Sequence, residues 1–301
     1  MNTDFGAVTG AGAGFRALIF AKATASDWET VQRWAANAGC NPGIGDARLF
    51  MTADPGGFRV GRQDGWLVSA VSVLRYSDVY AHLGNLLVAP DARGQGWGRA
   101  TFAAAMPLAY DRITGVDATP ERVDFLGRHG FAPAWRAIRY QGRPTPAPRT
   151  DPHVVRLERR RMHLLAPWDA AVFPAPRHAL AVSFTATVGR HTLAYQGKTA
   201  IQGYGVLRPA HQGIRIGPIY ADSEATAAAL LGALCDRASQ LDADTITVDV
   251  PDNNPAALAL AEACGLHRAG ETVRMYHPGR HEVPAAKSSN TCFALTSLEA
   301  G

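Results

Sequence analysis

Residues 86–100 read Leu-Leu-Val-Ala-Pro-Asp-Ala-Arg-Gly-Gln-Gly-Trp-Gly-Arg-Ala, an apolar run that gives way to glycines at 94, 96 and 98 and then to helix-forming residues. A turn of this kind at a helix start leaves backbone N–H groups without intrahelical partners, and its missing side chains let an anion come close to them. The helix dipole adds ~0.3–2 kcal/mol for a negative group, so pyrophosphate is the natural guest. The same glycines also suit a strand-to-helix turn with no ligand. Two rival phosphate loops are excluded by spacing: no Gly-Lys-Ser/Thr ending follows, and Arg99 stands where a dinucleotide loop has its last glycine. A second glycine-rich stretch, Gly10-Ala-Gly12-Ala-Gly14, follows no apolar strand and has Phe15 where the third glycine belongs.

Such a turn needs a strand that ends beside a helix start. Residues 16–21 read as a short strand, and Ser26-Asp-Trp-Glu29 has capping-box spacing for a helix to about Ala38. A shorter helical stretch follows at 44–53. After Asp54-Pro-Gly-Gly57, residues 58–62, 66–76 and 82–88 alternate or run apolar as strands do, with Asp64-Gly65 as a hairpin turn. Next come a helix at 96–109, a strand at 113–117, a proline-opened helix at 120–129 and a strand at 133–141. Past Pro144, Pro146 and Pro148 the order recurs. Helical segments lie near Asp169 and Arg177, strands at 191–196, 200–207 and 213–220, then a helix capped by Ser223, a strand at 245–250, a helix at 254–264 and a strand at 269–276. The expected organisation is a leader at 1–15, domains at 16–143 and 152–280, a linker at 144–151 and a loose tail at 281–301.

A chain of 301 residues with 47% hydrophobic and 19% charged content can fill two cores of ordinary size. Its net charge of +4 suits small anionic ligands as well as nucleic acid. Arg159-Arg-Arg161 is short and lacks interleaved aromatics, so a solvated segment is expected there and no nucleic-acid partner. Cys40, Cys235, Cys264 and Cys292 have neither disulfide-framework nor zinc spacing, which fits a reducing cytoplasm and no metal. No run approaches the roughly 20 apolar residues of a membrane span, so no membrane partner is expected.

Val88-x-Pro90-x-x-Arg93-Gly94-x-Gly96-x-Gly98, with Gly130-Phe131 closing a later helix, resembles the acetyl-CoA signature of the GNAT N-acetyltransferases. The resemblance covers about residues 16–143. It implies an α/β (α+β) fold of two tandem GNAT-like domains, each a mixed, mostly antiparallel central sheet flanked by helices. It also implies acetyl-CoA or another acyl-CoA as cofactor, with pyrophosphate on the backbone of Arg93, Gly94, Gln95, Gly96, Trp97, Gly98 and Arg99. The pantetheine arm then lies along Leu87, Val88 and Ala89. Asp117-Ala-Thr-Pro120, Asp169-x-x-x-Phe173-x-x-x-Arg177, Ile216-Gly-Pro218 and Arg274-Met275 are similar to a tandem subgroup whose second domain is divergent. In that second copy Ile219-Tyr-Ala-Asp-Ser-Glu-Ala225 replaces the glycine loop, and Asp222 and Glu224 at the helix start repel pyrophosphate.

Acyl transfer to an amine whose free pKa is about 10.4 needs a base, N–H donors for the thioester oxygen and an acid for the thiolate. Donors are expected near Val88. The tyrosine that serves as acid in many relatives is replaced by Leu126, and by Ala261 in the second copy. Asn85 stands where relatives often carry a glutamate base and can orient water or the amine; His82 is the candidate base, its alternative being a hairpin histidine. Tyr76, Asp78 and Tyr80 share that connection and are read as structural, His129 as a helix-end residue, and Cys40 as a small core residue rather than a nucleophile. Trp97 suits either the cofactor or the second domain. The function implied is acetyl-CoA-dependent N-acylation of a small-molecule amine by direct attack. The alternatives are a non-catalytic acyl-CoA sensor and a protein or peptide N-acetyltransferase.

Overall fold

The computed structural model describes residues 18–144, 151–283 and 289–301. The leader at 1–15 and most of the linker lie outside them. The first half runs β1 (Ile19–Lys22), α1 (Ala25–Asn37), α2 (Asp46–Ala53), β2 (Phe58–Gln63), β3 (Trp66–Arg75), β4 (Tyr80–Val88), α3 (Trp97–Ala109), β5 (Ile113–Ala118), α4 (Val123–Gly127) and β6 (Ala132–Gly142). The second runs β7 (Val154–Arg156), α5 (Ala166–Val172), α6 (His178–Ala186), β8 (His191–Gln196), β9 (Ile201–Pro209), β10 (Ile214–Ala221), α7 (Glu224–Gln240), β11 (Ile246–Pro251), α8 (Pro255–Ala263), β12 (His267–His277) and β13 (Cys292–Ala294).

Helix α1 buries Trp28, Val31 and Ala35 at helical spacing, with Trp28 edge-on to Phe58 at 4.6 Å between ring centroids. Its capping box is Thr24 and Asp27 rather than Ser26 and Glu29: Thr24 Oγ1 accepts from the Asp27 N–H at 3.1 Å, and Asp27 accepts from the Thr24 N–H at 3.0 Å. Threonine and aspartate offer the same reciprocal pair two residues earlier.

The described strands form a single 13-stranded sheet in the order β1-β2-β3-β4-β5-β12-β6-β11-β10-β9-β8-β7, with β13 paired to β10. Only β4 with β5 and β10 with β11 are parallel; the remaining pairs are antiparallel. The mixed, mostly antiparallel sheet expected for each half is present, and the two run on into one shared sheet because the halves exchange their last strands. Strand β12 pairs with β5 of the first half, and β6 pairs with β11 of the second. One apolar core also joins them, in which Phe50 of α2 stacks on Phe184 of α6 at 6.5 Å. The segment expected to be a loose tail is corrected: Cys292, Phe293, Ala294, Leu295, Ser297 and Ala300 are buried.

Buried ion pairs fasten the junction. Asp249 on β11 accepts from Arg139 of β6, Nε at 2.7 Å and Nη2 at 3.1 Å, and from Arg215 of β10. Burial pushes the Asp249 carboxyl up, but Arg139 and Arg215 more than offset this and hold it at about 2. The stability this gives is fully present above the unfolded value of about 3.9 and is lost as pH falls towards the folded one. Asp249→Asn leaves two guanidinium groups without their counter-charge, so unfolding in urea at neutral pH is expected to cost about 3–5 kcal/mol less than in wild type. A change under about 1 kcal/mol, the scale of exposed pairs, would show that water already screens this one.

Candidate active site

Strands β4 and β5 pair from Tyr80↔Ile113 to Leu83↔Val116 and then part. A bulge turns β4 away. Ala70 opposes Leu87 and Ser72 opposes Gly84, so Val71 alone faces Asn85 and Leu86. Asn85 takes a left-handed conformation at φ 50° and donates from Nδ2 to Ser72 Oγ at 3.2 Å, a geometry asparagine tolerates better than most residues. Beyond the bulge the Ala89 N–H donates to the Val68 carbonyl at 2.9 Å. By alternation the Val88 N–H points to the opposite edge, where no strand among the described residues pairs with it.

The chain then turns through the glycine loop into α3. Gly96 is the N-cap residue at φ 82° with no side-chain cap; the Arg99 N–H already donates to the Gly96 carbonyl at 3.1 Å, and the Trp97 and Gly98 N–H groups stand ahead of that first bond of the helix. At Gly94 and Gly96 nothing lies within 4 Å of where a side chain would begin. The loop surface is open to a ligand.

The gap between the parted strands forms a cleft of about 790 Å³. Of the residues expected to hold a cofactor, Leu87, Val88, Arg93, Gly94, Gly96, Trp97 and Gly98 line it. Ala89 is buried behind the loop, and Gln95 and Arg99 are exposed beside it without lining the cleft. The Trp97 indole packs among Leu18, Phe20, Val68, Ala89 and Ala92, so its side chain belongs to the first half's own core, not to a contact with the second.

At the inner end lies segment 289–301. Leu298 and Glu299 line the cleft together with Gly84, Asn85, Cys40, Asp117 and Arg139. The Glu299 carbonyl sits where a Cβ on Gly84 would be, so only glycine admits the segment there. Sequence reasoning missed Glu299, although its anchors had been singled out. Arg177 is paired with Asp169 at 2.9 Å and donates to the carbonyls of Ala300 at 3.2 Å and Gly301 at 3.0 Å. Arg274 donates to both oxygens of Asp117, at 2.8 and 2.7 Å, across the β5–β12 pair. Tyr76 donates to the Ala300 carbonyl at 2.7 Å, and Tyr80 is buried beside it; both are structural, while Asp78 is exposed. His129 lies at the end of α4, its Nδ1 2.8 Å from the Phe125 carbonyl.

His82 does not line this cleft. It is 0% exposed, with Nε2 3.2 Å from the Leu298 carbonyl and Nδ1 3.4 Å from the Tyr80 hydroxyl. A carbonyl only accepts, so Nε2 carries the proton and Nδ1 accepts from Tyr80. The expectation that His82 takes the amine's proton is corrected: its ring is sealed off and pins the segment instead. Burial also raises the Cys40 thiol, with Glu299 adding to the effect, which opposes a thiolate nucleophile.

The corresponding gap in the second half is filled. Strands β10 and β11 pair from Ile214↔Ile246 to Ile216↔Val248, and β10 bulges at Gly217 and Pro218. There β13 pairs with β10 at Ile219 and Tyr220, and the Leu295 N–H donates to the Asp249 carbonyl of β11 at 2.8 Å. At the start of α7 the Ser223 hydroxyl accepts from the Thr226 N–H at 3.2 Å, so the helix caps itself. Among the described residues no group of side chains has metal-holding geometry, and no helix is long and apolar enough to cross a membrane.

Burial, followed by Arg274, holds the His82 imidazole well below its usual range. The unfolded chain takes up a proton below about pH 6.5 that the folded state refuses, so His82 lowers stability as pH falls, by up to ~1.4 kcal/mol per unit. His82→Asn is expected to flatten that part of the stability profile in urea unfolding from about pH 6.5 down to about pH 5. An unchanged slope would assign it to another group.

Comparison with known proteins agrees with this architecture. Residues 165–289 match the family model for the acetyltransferase (GNAT) domain. Holothin acyltransferase of Pseudoalteromonas sp. (strain SANK 73390) is 27% identical over 279 residues, 93% of each chain. A putative acetyltransferase from Pyrococcus horikoshii superposes with a TM-score of 0.79 at 19% identity, covering 98% of this chain and 99% of that one. A tandem GNAT protein from the clavulanic acid biosynthesis pathway has a TM-score of 0.63 at 18% identity, covering 86% and 98%. Residues 165–289 are thus a GNAT acetyltransferase domain, and the chain as a whole has the fold of the solved GNAT structures and is similar over nearly its full length to an acyltransferase.

Proposed function

We propose that the chain moves the acyl group of acetyl-CoA, or of a related acyl-CoA, to the amine of a small molecule, and that the first half alone holds the cofactor. The observation that carries this reading is the open gap between β4 and β5, which runs from a glycine loop with free helix N–H groups to a polar inner end. The loop and the start of α3 offer N–H groups to the pyrophosphate, and Arg93 and Arg122 line the same cleft. The free edge of β4, including the Val88 N–H, offers donors to the pantetheine arm and the thioester oxygen. The protonated Cys40 favours direct attack over an acyl-enzyme.

A small acceptor fits a cleft of this volume, whose wall beside Gly84 and Asn85 includes Leu298 and Glu299. The relative named holothin acyltransferase supports the same class of acceptor. In the second half, β13 occupies the place of the pantetheine arm, which supports one cofactor per chain. Four free thiols, two of them buried, suit a reducing cytoplasm.

Calorimetric titration of acetyl-CoA is expected to give one site per chain. Gly96→Asp, which adds a carboxylate and bulk at a left-handed position facing the pyrophosphate, is expected to weaken binding at least about tenfold, or about 1.4 kcal/mol. Unchanged circular dichroism would separate this from unfolding. Two equivalents bound would overturn the closed second site; none would overturn the reading as a whole. Thiol release across a panel of primary amines including holothin then separates an enzyme from a sensor that binds without turnover.

A further inference from the structure

We propose that Glu299 takes the proton that an ammonium acceptor must lose before attacking the thioester, so that segment 289–301 supplies the first half's site with its base. The inference rests on the acyl-transfer reading above.

Position is the first argument. Glu299 lines the cleft beside Gly84 and Asn85, at the point where β4 bulges away from β5, and it is 9% exposed. Its backbone seat is fixed by the close approach to Gly84, by the 3.2 Å contact of His82 Nε2 with the Leu298 carbonyl, and by the bonds of Tyr76 and Arg177 to the Ala300 carbonyl. A base held this way needs no reorganisation when the acceptor binds.

The second argument is charge accounting among the groups that face it. Arg139 of β6 and Arg215 of β10 are committed to Asp249 of β11. Arg208 of β9 donates to Asp46 at 3.0 Å, and Arg274 of β12 donates to Asp117 of β5. Cys40 remains a thiol, its value raised by burial. Glu299 is not held by a close ion pair: its Oε2 accepts from the Ser297 hydroxyl of its own segment, while Oε1 has a longer ion pair, 3.9 Å from Arg215 Nη1. Glu121 and Glu271 also line the cleft, Glu271 at 3.9 Å from Arg136, but of the three only Glu299 is buried beside Gly84 and Asn85. That leaves Oε1 lone pairs for an ammonium proton, directly or through one water.

The step balances. The Glu299 carboxylate takes one proton from the ammonium; the neutral nitrogen attacks the thioester carbon and forms the C–N bond. The tetrahedral intermediate then expels CoA by breaking the C–S bond, and the second nitrogen proton passes to the sulfur. Glu299 returns its proton to solvent.

Glu299→Gln keeps the size and the backbone seat but cannot take a proton. With the best aliphatic amine of the panel, kcat is expected to fall by about a hundredfold, the usual scale for a lost general base, while acetyl-CoA affinity stays within about twofold. With an aromatic amine, already neutral at the assay pH, the loss is expected to be far smaller. Glu299→Asp should recover part of the rate. Wild-type turnover retained in the glutamine variant overturns the inference, as does an equal loss with both amines, which would mark a structural role. Absence of acetyl-CoA binding, or of thiol release across the whole panel, in the wild type overturns instead the acyl-transfer reading beneath it.

Discussion

The exchange of β6 and β12 between the halves is the constraint on which the site depends. Beyond Val116, β5 has lost β4 as a neighbour, so its other edge must be paired for the strand to stay extended along the cleft. Strand β12 does this from the second half, in the register Arg274↔Asp117, and that register lets the guanidinium chelate the carboxylate. The same strand contributes residues 269–272 to the cleft wall. A half folded alone lacks both the pairing edge and that wall. The two sequence halves are thus not two independent sites but one sheet with two gaps.

Those gaps show how duplicated geometry acquires different uses. Both halves have a parallel strand pair that parts after three or four residue pairs, and both have a bulge where the leading strand turns away. Segment 289–301 then breaks the symmetry. Its Leu295 carbonyl packs on Gly217 at one bulge and its Glu299 carbonyl on Gly84 at the other, so one stretch of chain fills the second gap and finishes the first. The family model matches 165–289, the half whose gap is closed, whereas the glycine signature lies in the first half. Kinship in sequence follows the fold, whereas a function has to be argued from the local site.

Most elements were legible because strand and helix periodicities are local properties: β8 has the bounds expected for it, and α3 begins within a residue of the expected helix. The glycine loop was legible for the same reason. The strand exchange was not, since β6 and β12 have the same alternation whichever half they close, and only three-dimensional register decides between them. Segment 289–301 was illegible because Cys292–Ala294 is too short for a periodic signal and its stability comes from distant partners. Arg177 and Arg274 stood out in sequence as a subgroup resemblance, yet their roles needed the carbonyls of Ala300 and Gly301 and the Asp117 carboxylate to be located. His82 misled because its titration range was visible and its burial was not.

The ion pairs at the junction raise a question of energetics that the site answers. Burying charges is expensive, and an apolar replacement of similar shape is often as stable. What an apolar replacement cannot do is reach beyond its own partner. Arg139 donates to Asp249 and also to the carbonyls of Gly39 at 2.8 Å and Cys40 at 3.0 Å; Arg215 donates to Asp249 and to the Asn41 carbonyl at 3.0 Å. The loop after α1, which lines the cleft through Gly39 and Cys40, is thereby hung from the same carboxylate that joins β6 to β10 and β11. Directional donors fix the position of that wall relative to Glu299 and β4 in a way that side-chain packing alone does not. The desolvation cost is borne in fixing one geometry at the inner end of the cleft, where a small displacement would separate the base from its acceptor.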